Sequence, residues 1–256
     1  MIVLVIGDVV GDPGMDLLCR RLHRLKKEVN ADLTVVNGEN ATPMGKGITP
    51  QLAEELFNAG ADVITLGNHT FANRQICDYL DEQPRILRPL NLPPRQPGQG
   101  SVVVECCGRR VCVCNLQGRV GMDYISSDPF AAADCLLRET EADVFLVDFH
   151  AEATSEKQAM GWHLAGRAAA VWGTHTHVPT ADGRVLPGGT GYITDIGMTG
   201  GVDSVIGVCW EQSVAMFRGE LSQRFRPSDR NCRVQGAVFT IDEQGKCVSV
   251  RPVDAS

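Results

Sequence analysis

A chain of 256 residues with 43% hydrophobic and 21% charged side chains can pack one large α/β domain spanning 1–256, and this is not the composition of a disordered segment. A formal charge of −7 without any block of Lys and Arg argues against gripping long nucleic acid through its phosphates. Small phosphorylated substrates stay open, because bound metal ions can set the local field. No apolar run approaches the roughly 18 residues of a membrane span, and the apolar start Met1–Ile6 lacks a basic leader region, so the chain reads as cytoplasmic.

Ile2 to Ile6 reads as a first strand ending at Gly7-Asp8-Val9-Val10-Gly11-Asp12-Pro13-Gly14, before a helix from about Met15 to Val29 with Leu18, Leu22, Leu25 and Val29 at helical spacing. Leu33 to Val36 is a second strand, ending at Asn37-Gly38-Glu39-Asn40. A glycine-rich loop then reaches Thr49, an N-cap candidate with Pro50 behind it. Val63 to Leu66 is a third strand, ending at Gly67-Asn68-His69, and Asn73 to Glu82 reads as helix. Pro84 to Gly100 is a connecting loop, and Ser101–Cys107 with Val111–Gln117 form a hairpin. Asp128-Pro129 opens a helix to about Thr140. The strand Val144–Phe149 ends at His150-Ala151-Glu152, and Ser155–Leu164 is helical. Ala168–Trp172 is a buried strand running into Gly173-Thr174-His175-Thr176-His177, and strands at Gly191–Thr194, Val234–Ile241 and Val248–Val253 close the chain.

Five strands thus end in polar residues able to hold a metal, and in open α/β sheets sites form beyond the carboxyl ends of strands. Asp8, Glu39, Asn40, Asn68, His150, His175 and His177 are therefore expected to converge. A turning backbone presents residues i and i+2 to one side, which lets His175 and His177 act together. The set is mixed nitrogen and oxygen with no thiolate, which suits Mn²⁺, Fe²⁺/Fe³⁺, Co²⁺ or Ni²⁺ better than a closed tetrahedral zinc site. Seven candidates exceed one ion's needs and suit two ions bridged by a carboxylate, the arrangement used for in-line attack on phosphorus.

These motifs, with His150-Ala151-Glu152-Ala153-Thr154-Ser155-Glu156-Lys157, Leu116-Gln117-Gly118-Arg119 and Thr194-Asp195-Ile196-Gly197-Met198-Thr199-Gly200, resemble the calcineurin-like metallophosphoesterases, and within them the bacterial YmdB-type branch. The resemblance implies two packed mixed β-sheets flanked by helices, with two transition-metal ions, iron or manganese first, at the strand ends. It implies that Asp8, Glu39, Asn40 and His177 hold one ion, that Glu39, Asn68, His150 and His175 hold the other with Glu39 bridging, and that His69 is the general acid. The implied reaction is hydrolysis of small phosphodiesters, cyclic nucleotides of the 2′,3′ and 3′,5′ types above all, by a metal-bridging hydroxide. Departures from the wider pattern are Val10 where the first motif usually has His, Glu39 where the bridge is usually Asp, and Phe71-Ala72 where the branch commonly has Trp-Asp. The last pair is expected at the site's rim. A phosphomonoesterase using the same site and a nucleotide-sensing protein without turnover are the rival readings. A homo-oligomer is compatible with the sequence.

Other features read as structural. The ten cysteines suggest reduced thiols; Cys106, Cys107, Cys112 and Cys114 read as small apolar strand residues in preference to a zinc site. His23 and His163 join no motif. Gly45-Lys46-Gly47 lacks the Ser/Thr of a phosphate-binding loop. Glu152 and Lys157 are expected either to touch the site or to form a solvated ion pair. Asp195 is expected to support a ligand histidine or to cap the turn before Gly197.

Overall fold

The computed structural model describes residues 1–122, 126–221 and 224–256. The first strand shows why the architecture is layered. β1 (Ile2–Ile6) turns Leu4 and Ile6 to one face and Val3 and Val5 to the other, and all four are fully buried. A strand apolar on both faces must be covered on both sides. It leads to the two-residue β2 (Asp8–Val9), α1 (Gly11–Val29), β3 (Leu33–Asn37), α2 (Pro50–Ala59), β4 (Val63–Thr65), α3 (Ile76–Glu82) and β5 (Ile86–Leu87). A second run follows: β6 (Ser101–Cys106), β7 (Arg109–Gln117), α4 (Pro129–Glu139), β8 (Val144–His150), α5 (Thr154–His163), β9 (Ala170–Thr174), β10 (Arg184–Leu186) and β11 (Thr190–Ile193). The chain closes with β12 (Met198–Gly201), α6 (Trp210–Phe217), β13 (Cys232–Ile241) and β14 (Cys247–Ala255).

Among the described residues the strands form an eight-stranded sheet ordered β2-β12-β13-β1-β3-β4-β5, with β14 paired to β13, and a six-stranded sheet ordered β10-β11-β9-β8-β7-β6. Both sheets are mixed. β1, β3, β4 and β5 run parallel, as do β7, β8, β9 and β11, while β13 is antiparallel to β1, β12 and β14. The sheets face each other across a core of Val3, Val5, Val35, Val113, Leu146, Trp172 and Phe239. Leu18 and Leu22 of α1 with Leu56 of α2 cover the outer face of the larger sheet, and Leu136 of α4 with Met160 of α5 cover that of the smaller. This is the expected pair of mixed sheets flanked by helices.

Local chemistry fixes most of the expected boundaries. Thr49 caps α2 by accepting from Leu52 N at 3.3 Å, and Asp128 caps α4 by accepting from Phe130 N at 2.9 Å. The hairpin β6–β7 turns at Cys107-Gly108, both at positive φ. Three boundaries differ from the sequence reading. α1 starts at Gly11, not near Met15, because Pro13 lies in the first turn, where its missing N–H costs no helical bond. α3 starts at Ile76, since Asn73 instead accepts from Gln75 N in a turn. The 84–100 stretch contains β5, paired with β4. Elements β2, β10, β12 and α6 had no counterpart in the sequence reading.

The thiols behave as apolar residues. Cys112 and Cys114 pack under α4 and α5, Cys106 faces the core between the sheets, and Cys107 is exposed at the turn, so the four do not converge. No helix among the described residues is long and apolar enough to cross a membrane.

Candidate metal centre

The parallel strands β1, β3, β4, β8 and β9 deliver their carboxyl ends to one place, and all seven candidate ligands meet there. Glu39 is the hinge between two groups. On one side His150 Nε2 lies 3.1 Å from Glu39 Oε1, 3.0 Å from Asn68 Oδ1 and 3.1 Å from His175 Nδ1. On the other, Asn40 Nδ2 lies 3.2 Å from both Glu39 Oε1 and His177 Nε2, and His177 Nε2 is 3.6 Å from Asp8 Oδ1. Asp8, Glu39 and His150 are fully buried. Gly67 is required by this crowding: any side chain there would overlap Glu39 Oε2 and His150 Nε2.

Each imidazole has its remote nitrogen held. Thr174 Oγ1 spends its proton on Asp148 Oδ1 at 2.7 Å, so it must accept from His150 Nδ1–H at 2.9 Å, and Nε2 is left with a lone pair. His177 Nδ1–H donates to the Ile206 carbonyl at 2.9 Å, freeing its Nε2. His175 Nε2 faces Glu152 Oε2 at 3.2 Å, freeing its Nδ1. Holding the outer nitrogen in this way orients a metal-binding histidine and fixes its tautomer. The turn that presents His175 and His177 is unusual for non-glycine residues, with φ of 96° and 64°, a conformation that costs about 1–3 kcal/mol per residue and clusters at functional sites. Asp195 restrains this turn. Its Oδ2 accepts from Thr176 N at 3.2 Å, from Thr176 Oγ1 at 2.7 Å and from Lys157 Nζ at 2.6 Å, while its Oδ1 accepts from Gly197 N at 2.9 Å. Asp195 thus caps the turn before Gly197 as expected, and it holds the His175–His177 turn through Thr176 with no hydrogen bond to either histidine. Of the two alternatives for Glu152 and Lys157, Glu152 touches the site through His175, and the solvated pair is the one corrected: Lys157 is buried beside Asp195.

The electrostatics describe a place for positive charge. Glu39 Oε1, Asn68 Oδ1, His150 Nε2 and His175 Nδ1 are acceptors turned toward one another, and Asp8 Oδ1 is buried without a hydrogen bond. Such a set is stable only around a cation or a proton. Glu39, His150 and His175 also lie close enough together to ligate one ion. Burial would raise the Asp8 and Glu39 carboxyls, but His177 and His150 respectively overcome it and hold them low. Burial would lower His150 and His177, but Glu39 lifts the first and Asp8 lifts the second to about 9. Burial and His150 depress His175 to about 3, leaving it neutral. Burial pushes Asp148 up to about 6, against the pull of Thr65.

His69 stands at the mouth, with Nδ1 2.7 Å from Asn40 Oδ1 and its backbone N–H donating to Glu39 Oε2 at 3.0 Å. A cavity of about 330 Å³ opens there, bounded by Glu39, Asn40, His69, His175 and His177 on one wall. Phe71 and Ala72 do not line it. They border a separate depression with Asn68 and Arg74, and Phe71 packs on the helix-side core, which corrects their expected place at the rim. His23 is exposed on α1, and His163 bonds Asp134 Oδ1 at 2.9 Å and meets Phe130 edge-on, so both are structural. Thr174, Asp148 and the Ile206 carbonyl are the supporting groups that sequence reasoning missed; Thr174 lay inside a motif, but the other two carry no local signal.

The profile of a family described as YmdB-like protein matches residues 4–253. A 2′,3′-cyclic-nucleotide 2′-phosphodiesterase from Bacillus subtilis (strain 168) is 45% identical over 248 residues, covering 96% of this chain and 93% of that protein. The crystal structure of a hypothetical protein from Thermus thermophilus superposes with a TM-score of 0.93 at 42% identity, over 99% of this chain and 98% of that one. A structure described as a novel phosphatase from Mycoplasma pneumoniae superposes with a TM-score of 0.94 at 36% identity, over 99% and 92%.

Proposed function

The chain belongs to the YmdB-like family, of metallophosphoesterase fold, and from that premise we propose that it is a dinuclear metal-dependent phosphodiesterase acting on small phosphodiesters, cyclic nucleotides before others. The observation that carries the reading is the convergence of acceptors on His150 Nε2 while every histidine's outer nitrogen is already committed. Asp8, Glu39, Asn40 and His177 would hold one ion and Glu39, Asn68, His150 and His175 the other, with Glu39 shared. When bound, such ions activate water and stabilise the phosphoryl oxygens.

The chain's own residues do the rest. Glu39 and Asp8 hold negative charge where cations are needed, and Thr174, Glu152 and Ile206 keep the imidazoles in ligating orientation. His69 is the proton donor to the leaving alkoxide. Asn40 Oδ1, 2.7 Å from His69 Nδ1, accepts the Nδ1–H and so orients the protonated ring. The imidazolium's second proton, on Nε2, is then the one given to the leaving oxygen, and the ring is left neutral.

The test is elemental analysis with turnover of a cyclic nucleotide. Glu39→Ala should lower the occupancy of both ions, and His175→Ala that of one, each with loss of most activity. Full metal occupancy in Glu39→Ala would refute the bridging role.

A further inference from the structure

The cavity beside the proposed metal centre has a second wall that the hydrolytic reading does not use. Val10, Met44, Ile206, Val208, Phe225 and Pro227 line it, so this side of the cavity is apolar. Two cations border that wall, Lys46 and Arg226. Both are exposed, and neither side chain has a hydrogen bond or ion pair among the described residues. Two unpaired cations at the mouth of a site built around Asp8 and Glu39, in a chain of net charge −7, are complementary to an anionic ligand.

Both segments are held in place. Thr42 closes the turn that displays Met44 and Lys46: its Oγ1 donates to Lys46 O at 2.7 Å, and Gly45 N donates to Thr42 O at 2.7 Å. On the opposite side the buried Gln212 of α6 clasps the segment carrying Phe225 and Arg226. Its Nε2 donates to Arg224 O at 2.8 Å and its Oε1 accepts from Arg226 N at 2.9 Å. The aromatic ring is therefore presented by a clamped backbone.

We propose that this wall is a nucleobase subsite, in which Phe225 and Met44 take the face of one base while Lys46 and Arg226 hold the anionic phosphate side of the same nucleotide. The inference rests on the phosphodiesterase reading and adds to it the part of the substrate that is not cleaved. A cavity of about 330 Å³ suits one nucleotide and not an oligonucleotide, being near the lower end of small-molecule pockets. An aromatic face with a thioether beside it is a stacking platform for a flat π-system. Among the described residues Lys46 and Arg226 are the polar side chains beside Met44 and Phe225, while Glu152 and Thr176 line the cavity on the histidine side.

The experiment compares a 2′,3′-cyclic nucleotide with 1-O-methyl-ribose 2′,3′-cyclic phosphate, which has the same scissile bond and no base. In wild type kcat/KM should favour the nucleotide. Phe225→Ala should reduce that preference by roughly ten- to a hundredfold, the range of one base–aromatic stack, through KM and not kcat, and Phe225→Trp should restore it. Titration calorimetry with a nucleoside monophosphate should show the same loss of affinity. An unchanged preference together with unchanged nucleotide affinity in Phe225→Ala would overturn the subsite. Failure of metal-loaded wild type to cleave either ester would overturn the phosphodiesterase reading instead, and the calorimetry would still decide the subsite.

Discussion

Lys157→Met is the most incisive perturbation of the scaffold around the candidate centre. Lys157 Nζ lies 2.6 Å from Asp195 Oδ2, and the side chains are only 2% and 1% exposed. Methionine keeps the length of the buried stem and removes the charge. Asp195 would then be a buried carboxylate with hydrogen bonds from Thr176 and Gly197 but no counter-ion. Breaking one partner of a buried pair costs about 3–5 kcal/mol. At about 2–4 °C per kcal/mol for a chain of this size, the melting midpoint should fall by about 6–20 °C. Adding Asp195→Asn removes the stranded charge, so the double variant should be more stable than the sum of the single losses, with a coupling of about 0.5–3 kcal/mol. Urea and thermal unfolding at one fixed metal concentration give these values, since bound metal itself adds stability. A loss below about 1 kcal/mol, or strict additivity, would refute the assignment of this pair as a buried, mutually dependent unit.

Three further outcomes follow from the site. His69→Ala should lose about 10²–10⁴-fold in activity on a cyclic nucleotide, whose ribose alkoxide needs a proton, and far less on a nitrophenyl phosphodiester; equal losses, or loss of metal, would remove His69 from the general-acid role. Although burial opposes it, Asp8 holds His177 up at about 9. The resulting stabilisation is complete below the unfolded value near 6.5 and is lost as pH rises through about 9. Metal-free protein should therefore lose stability across that window, and metal, which takes the proton's place, should abolish the decline; urea midpoints with and without chelator test this, and a flat metal-free profile would contradict it. Burial pushes the Cys112 thiol up to about 12 and the Cys114 thiol well upward, so alkylation at pH 8 followed by mass spectrometry should label exposed Cys107 first and these two only after unfolding.

The parts legible in the sequence were those whose burial is continuous along the chain. β1, β3, β8 and β9 are buried on both faces, read as apolar runs interrupted by Thr34 in β3 and Asp148 in β8, and end at polar residues, which is why the seven candidate ligands could be expected at one place. Elements that depend on distant partners were not legible. Met198-Thr199-Gly200-Gly201 has little strand character of its own and becomes β12 only between β2 and β13. α6 inverts the usual pattern, burying Gln212 and Ser213 while exposing Trp210, Val214 and Phe217. Periodicity cannot assign a helix whose inward face is polar. Glu152 was singled out, but its partner His175 lies on another loop that only the parallel pairing of β8 and β9 brings near.

The position of β13 bears on how such a protein comes off the ribosome. β13 lies between β1 and β12, and β12 alone pairs with the short strand bearing Asp8. Asp8 is made long before its neighbours: its strand has no partner until Met198–Gly201 exist, and those have no anchor until Cys232–Ile241 arrive. Pairings this distant in sequence are slow to form. A nascent chain can assemble β1, β3, β4 and β5 with their helices early, but the carboxylate at position 8 is seated only after Cys232–Ile241 has been synthesised. A chain halted just before β13 carries every candidate ligand without the frame that seats the first of them.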